Sequence, residues 1–179
     1  MADLTRLPHH LDEGTGVCRA IIETPKGRRS KFDYDPASRL FKLKAVLPDG
    51  MSFPLDYGFI PSTLADDGDP ADVMVLMDEP ACVGALLNVR LIGVLQAEEA
   101  EHGRAERNDR LLAVAAISHI YADIESPGDL PHTFLERLGD FWTNKERLEG
   151  KTFRVIGVGN LAEAILLVKK TSKAAKSHS

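Results

Sequence analysis

Apolar residues along this chain recur mostly in short runs or at a period of two, and a helical period appears only in the C-terminal third. Val17 to Glu23 reads as a strand, and Lys31 to Tyr34 as another that turns at "DPAS" into "RLFKLKAVL". There Phe41, Leu43 and Ala45 alternate with Lys42 and Lys44, which predicts a half-buried hairpin. The "PDG" at 48–50 marks a turn, and "SFPLDYGFIP" continues as an irregular strand bounded by prolines. The runs "DVMVLM", "ALLNVRLIGVL" and "LLAVAAI" follow, each short and bounded by Gly, Pro or charge.

The first helix is expected after Asp129, a capping residue with Pro131 in the first turn, because Phe134, Leu135, Leu138, Phe141 and Trp142 then recur at helical spacing. A second starts at Asn160, where Glu163 completes a capping box. "KTFRVIGVG" returns to strand between them. Several short strands followed by two helices predict an α+β fold, a small barrel of the OB type with helices packed outside.

At 179 residues the chain is expected to form one domain, 1–179, with 1–15 as an N-terminal extension and the basic residues 170–179 as a frayed tail. Charges scattered through the N-terminus leave no room for a signal peptide, and no apolar run reaches membrane-spanning length, so the expectation is a cytoplasmic protein with no membrane contact. The net charge of −5 argues against nucleic acid as a partner. Cys18 and Cys82 lack metal spacing and read as structural thiols. His102, His119 and His132 have no second ligand at metal spacing either.

The chemistry concentrates in "ADDGDPADVMVL", where Asp67, Asp69 and Asp72 form the pattern D-G-D-P-x-D. Carboxylates this close raise one another's pKa unless a cation neutralises them. In an extended backbone Asp67 and Asp69 face the same way, with Gly68 and Pro70 tightening the bend. An EF-hand is excluded, because Asp72 would occupy the position that needs glycine. Aspartates without His or Cys favour Mg²⁺ or Mn²⁺ over zinc. On the residues alone, a solvated turn and a metal site remain equally open.

The combination of "IETPKGRRSKFDYD", "FPLDYGFIP" and "DGDPADV" resembles the soluble family I inorganic pyrophosphatases, from about Val17 to about Leu167. The resemblance implies a distorted five-stranded OB-type barrel with two helices, Mg²⁺-dependent hydrolysis of pyrophosphate without a covalent enzyme intermediate, and a homo-oligomer, usually a hexamer in bacterial members. It assigns Asp67 and Asp72 to the activating metals and Asp69 to proton acceptance from the attacking water. Glu23 and Asp33 match positions that serve further metals, and Lys31 and Tyr57 match phosphate-binding positions. Alternatives left open are another phosphoanhydride substrate, such as tripolyphosphate or a nucleotide, and a non-catalytic metal- or polyanion-binding module.

Several positions depart from the family pattern. Its arginine after the first hairpin falls at Lys44, which lacks the guanidinium fork. A tyrosine four residues before Tyr57 is Phe53. In "EEAEHGRAERNDRLLAV" Asp109 is taken as the third metal ligand, with Asn108 as competitor, and Arg110 as the phosphate-binding cation after it; Glu98 or Glu99 replaces an earlier aspartate. The family's Tyr-Lys pair falls on Lys145 and Glu146. Lys145 can lend its charge to substrate, Glu146 would repel it, and the alternative is that both are ordinary exposed helix charges.

Overall fold

The computed structural model describes residues 2–101 and 103–177, so His102 and the last two residues of the expected tail lie outside it. Among the described residues, nine strands precede or separate two helices. They are β1 (Val17–Thr24), β2 (Ser30–Asp35), β3 (Leu40–Val46), β4 (Asp56–Phe59), β5 (Asp72–Leu76), β6 (Leu86–Glu101), β7 (Arg104–Arg107), β8 (Arg110–Ala115) and β9 (Thr152–Gly159); the helices are α1 (His132–Leu148) and α2 (Leu161–Ser177).

Five strands form the predicted ring. β1 pairs β4, β4 pairs β5, β5 pairs β8, β8 pairs β6, and the first residues of β6 return to β1. Only β5 and β8 run parallel. At 16 residues β6 outlasts the ring, and its second half pairs β9 along one edge and β7 along the other. Gly58 lets β4 cross β1 closely, since a Cβ there would sit 1.8 Å from the Ile21 carbonyl oxygen.

The central strands carry side chains into apolar layers on both faces, which is why they read as continuous apolar runs rather than alternating ones. One layer joins Ile22, Val73, Val75, Leu91 and Leu111 to Ala164 and Val168 of α2. The other joins Met74, Ile92, Leu112 and Val114 to Leu138 and Trp142 of α1, with Phe53 and Tyr57.

Local differences from expectation have local causes. The β2–β3 hairpin carries a bulge at Lys44, because Lys31 faces Ala45 while Phe32 already faces Leu43. The bulge breaks the alternation, and Leu43 is left 58% exposed. β7 escaped the pattern because all four of its residues are exposed. Asp129 does not cap α1; its carboxylate accepts from Ser126 and Glu125 in a tight turn at Pro127–Asp129, and α1 begins at His132.

At α2 the capping box is present. Asn160 N–H donates to Glu163 at 2.8 Å, and Glu163 N–H donates to the Asn160 side chain at 3.2 Å. The supposed frayed tail instead continues this helix to Ser177. Thr171 is buried, and its carbonyl accepts from Leu64 N–H at 3.0 Å, so the tail is docked onto the segment before the aspartates. Cys18 is buried, which pushes its thiol up to about 12, whereas Cys82 is exposed rather than structural. Among the described residues no helix is long and apolar enough to cross a membrane.

Candidate active site

A cleft of about 870 Å³ opens where β1, β2, β4 and the start of β5 meet the far end of β6, β8 and the cleft side of α1. It gathers Glu23, Lys31, Asp33, Tyr57, Asp67, Asp69, Asp72, Lys44, Arg110 and Lys145, residues that span most of the chain. Of the expected site residues, only Asp109 is missing from its lining.

The aspartates arrive through a turn rather than an extended segment. Gly68 takes φ +90, a value open to glycine, and Asp69 N–H donates to the Asp67 side chain at 3.1 Å. Asp67 and Asp69 therefore reach the cleft from its exposed edge, while Asp72 begins β5 at the cleft floor. Burial pushes the Asp72 carboxyl up to about 6, with the Asp67 charge adding to the rise and Arg110 and the Tyr57 hydroxyl opposing it. Asp69 is also raised, by burial and then by Asp67 and Asp33.

Glu23 projects from β1, where its carboxylate accepts the Tyr34 N–H at 2.6 Å. Burial lifts it to about 8, and Asp33 and Asp72 push in the same direction. Lys31 lies 2.8 Å from Asp33; burial opposes its charge, but the carboxylates of Asp33, Asp72 and Glu149 together raise its pKa. Tyr57 is fully desolvated and hydrogen-bonded to Asp72, so its hydroxyl stays protonated as a donor.

In the segment before β8, Asp109 and Asn108 face different ways. Asp109 accepts from the Ala97 N–H at 3.0 Å and from Arg107 at 2.6 Å, commitments that turn it away from the cleft. Asn108 lines the cleft instead and donates to Glu99 at 2.9 Å. Glu99 is in turn bound by Lys151 at 2.6 Å. The β6 partner on this edge is the unanticipated β7, which lengthens the connection and shifts the register.

Lys145 and Glu146 are not exposed helix charges. Their side chains are 4% and 3% exposed and lie 3.0 Å apart, and Lys145 also meets Glu149 at 2.9 Å. Glu146 reaches Arg110 at 3.3 Å, so its charge is neutralised inside the protein rather than presented to an anion. Phe53 is absent from the cleft lining and packs beneath it against Tyr57, Phe141 and Trp142. Glu149 and Lys151 were missed from the sequence; Glu149 was findable, since it falls on the helical stripe of Trp142, Lys145 and Glu146.

The donor set around the aspartates is all oxygen, which suits a hard divalent cation. Among the described residues no three acidic, His or Cys groups converge tightly enough to hold one ion in this conformation. Asp67 and Asp69 are exposed at the cleft edge, so side-chain rotation can bring them towards Asp72. The chemistry of the residues therefore fits such an ion.

Comparison with known proteins agrees with this geometry. The inorganic pyrophosphatase family profile matches residues 20–176. The inorganic pyrophosphatase of Thermus thermophilus is 38% identical over 151 residues, covering 84% of this chain and 83% of that protein. That of Synechocystis sp. is 34% identical over 171 residues, covering 96% and 98%. Among solved structures, an inorganic pyrophosphatase from Thermus thermophilus superposes with a TM-score of 0.88 at 34% identity, covering 98% of this chain and 99% of the other. The Helicobacter pylori inorganic pyrophosphatase gives 0.85 at 30% identity, covering 95% and 98%. A profile match across most of the chain, joined to a shared fold and a cleft built on D-G-D-P-x-D, means that the chain belongs to the inorganic pyrophosphatase family.

Proposed function

We propose that this protein hydrolyses inorganic pyrophosphate to two phosphates with Mg²⁺ as its ion, Mn²⁺ being able to substitute. The observation that carries the reading is the cleft itself, where the D-G-D-P-x-D aspartates share one cavity with Lys31, Lys44 and Tyr57. Divalent ions, when bound, lower the pKa of water and offset phosphate charge.

The chain's own groups take the remaining roles. Asp67 and Asp72, with Glu23, Asp33 and Glu99 around them, supply the oxygen donors. Asp69, exposed at the cleft edge beside Asp67, accepts the proton of the attacking water. Lys31 and Lys44 attract the phosphate oxygens, and Lys31 must exchange part of its contact with Asp33 to do so. Tyr57 donates its hydroxyl at the floor and holds Asp72 in place.

The test is phosphate release from pyrophosphate by purified protein with Mg²⁺, with Mn²⁺ and with excess chelator, beside tripolyphosphate under the same conditions. Metal-dependent release from pyrophosphate is expected. Folded protein that releases phosphate from tripolyphosphate alone would move the assignment to a longer phosphoanhydride, and no release from either would move it to a binding role.

The same reading includes a homo-oligomer, a hexamer by family resemblance, in the cytoplasm and without nucleic acid. The oligomer is supported by the exposed Leu40, Leu43, Val46, Leu86, Ile117 and Ile120, large apolar side chains outside the cleft lining. Light scattering on the purified protein measures the mass directly.

A further inference from the structure

Arg110 occupies the position that the sequence assigns to phosphate binding, yet only 2% of it is exposed. Its guanidinium lies 4.0 Å from the Trp142 ring centroid and 4.6 Å from that of Phe153. Three carboxylates from three elements surround it. Nη2 stands 3.3 Å from Glu146 of α1 and 4.0 Å from Glu99 of β6, and Nε stands 3.8 Å from Asp72 of β5.

An incoming phosphate would have to displace part of this enclosure. Removing a guanidinium from its aromatic contacts, or a buried carboxylate from its counter-charge, is strongly unfavourable because it leaves an uncompensated buried charge. Exposed Lys44 and the less enclosed Lys31 offer the same charge at far lower cost. Nε is also one of the few buried polar atoms without a hydrogen bond, and the carboxylate it faces is Asp72. A small movement of Asp72 completes that bond.

We propose that Arg110 is a positioning residue for Asp72 rather than a phosphate ligand, and that Glu146 is the counter-charge that holds Arg110 in that task. The aromatic floor of Trp142 and Phe153 fixes the guanidinium plane. Glu146, from the next turn of the helix that carries Trp142, occupies one end of the fork and leaves Nε aimed at Asp72. Glu146 is thus paired inside the protein with both Arg110 and Lys145, which explains how a carboxylate is tolerated beside a phosphate-binding cleft.

This inference rests on the reading of Asp72 as a metal-binding carboxylate, and the experiment separates the two. Mn²⁺ is titrated into substrate-free wild-type, Arg110→Lys and Glu146→Gln protein and followed by electron paramagnetic resonance, with KM and kcat for pyrophosphate measured in parallel. Lysine keeps the charge but loses the fork that reaches Glu146 and Asp72 together. Arg110→Lys is expected to weaken Mn²⁺ binding by threefold or more and to lower kcat, with KM changed by less than threefold. Glu146→Gln is expected to change Mn²⁺ affinity in the same direction, through the loss of the carboxylate that holds Arg110. Unchanged Mn²⁺ binding in Arg110→Lys, whatever happens to KM, overturns the positioning role; a large rise in KM beside it makes Arg110 the phosphate ligand. Wild-type protein that binds no Mn²⁺ defeats the metal reading itself. Should either single variant fail to fold, the paired change Arg110→Met with Glu146→Met removes both buried charges together, and the same Mn²⁺ titration applies.

Discussion

The Asn108 side-chain amide donates to Glu99 at 2.9 Å, and both residues line the cleft that holds the aspartates. An amide therefore stands where a carboxylate was sought, and it lets Glu99 approach without repulsion. Its neighbour Asp109 is engaged by Arg107 and the Ala97 N–H outside the cleft lining.

Replacing Asn108 by Asp would set two carboxylates at hydrogen-bonding distance. The metal-free variant should lose about 1–2 kcal/mol of stability through lost donation and like-charge repulsion. Saturating Mg²⁺ should restore most of that loss, which thermal melts with and without metal will show. Asp109→Asn should leave the metal concentration for half-maximal turnover within about twofold. A large shift there would return Asp109 to the metal site.

Asp69 is exposed at the cleft edge, so Asp69→Asn should preserve the fold, with stability within about 0.5 kcal/mol. Turnover should fall by roughly 10²–10⁴-fold, the usual contribution of a positioned base. Steady-state phosphate release beside a melting curve checks both halves. Normal turnover would remove Asp69 from the role of proton acceptor.

Trp142 joins the core to the cleft. It is 1% exposed, donates from Nε1 to the Met74 sulfur at 3.1 Å and underlies Arg110 at 4.0 Å. Trp142→Ala should cost about 3–5 kcal/mol through the cavity alone. Trp142→Phe should cost less in stability but still lower kcat, because the smaller ring gives Arg110 a weaker platform. Denaturant unfolding and kinetics on the two variants separate packing from positioning.

His9 links the N-terminal segment to α2. Its Nδ1 accepts from Leu11 N–H at 3.1 Å, and Nε2 lies 2.9 Å from the Ser172 hydroxyl. Its pKa is lowered by partial burial, then by His10 and Lys176. The unfolded chain therefore binds the proton more readily than the folded one below pH of about 6.5, and stability rises with pH in that range. The His9 contribution should be complete above that pH and lost as pH falls through the lower folded value. The protection factor of the Leu11 amide, its exchange corrected for the intrinsic pH dependence, should fall on acidification, and His9→Asn should flatten that dependence.

Much of the fold was legible because its signals are local. Asn160 and Glu163 sit three apart and cap α2 through their own side chains, and β5 and β8 are apolar at nearly every position. The D-G-D-P-x-D segment, expected as extended backbone with a bend, is a turn whose means are also local, since Gly68 supplies the positive φ and Asp67 binds the Asp69 amide. These features depend on residues only a few positions apart, so the sequence alone determined them.

Tertiary structure decided what depends on distant partners. Whether Asn108 or Asp109 enters the cleft follows from β7 pairing with β6, and β7 carries no apolar signal. Whether Lys145 and Glu146 are surface charges follows from Arg110, 35 and 36 positions earlier, arriving beneath α1. The tail is helical and docked because Leu64, far upstream, donates to the Thr171 carbonyl. Charge and polarity are written in the chain, but burial and pairing are properties of surfaces that meet only after folding, and in this cleft they determine which charges remain for substrate.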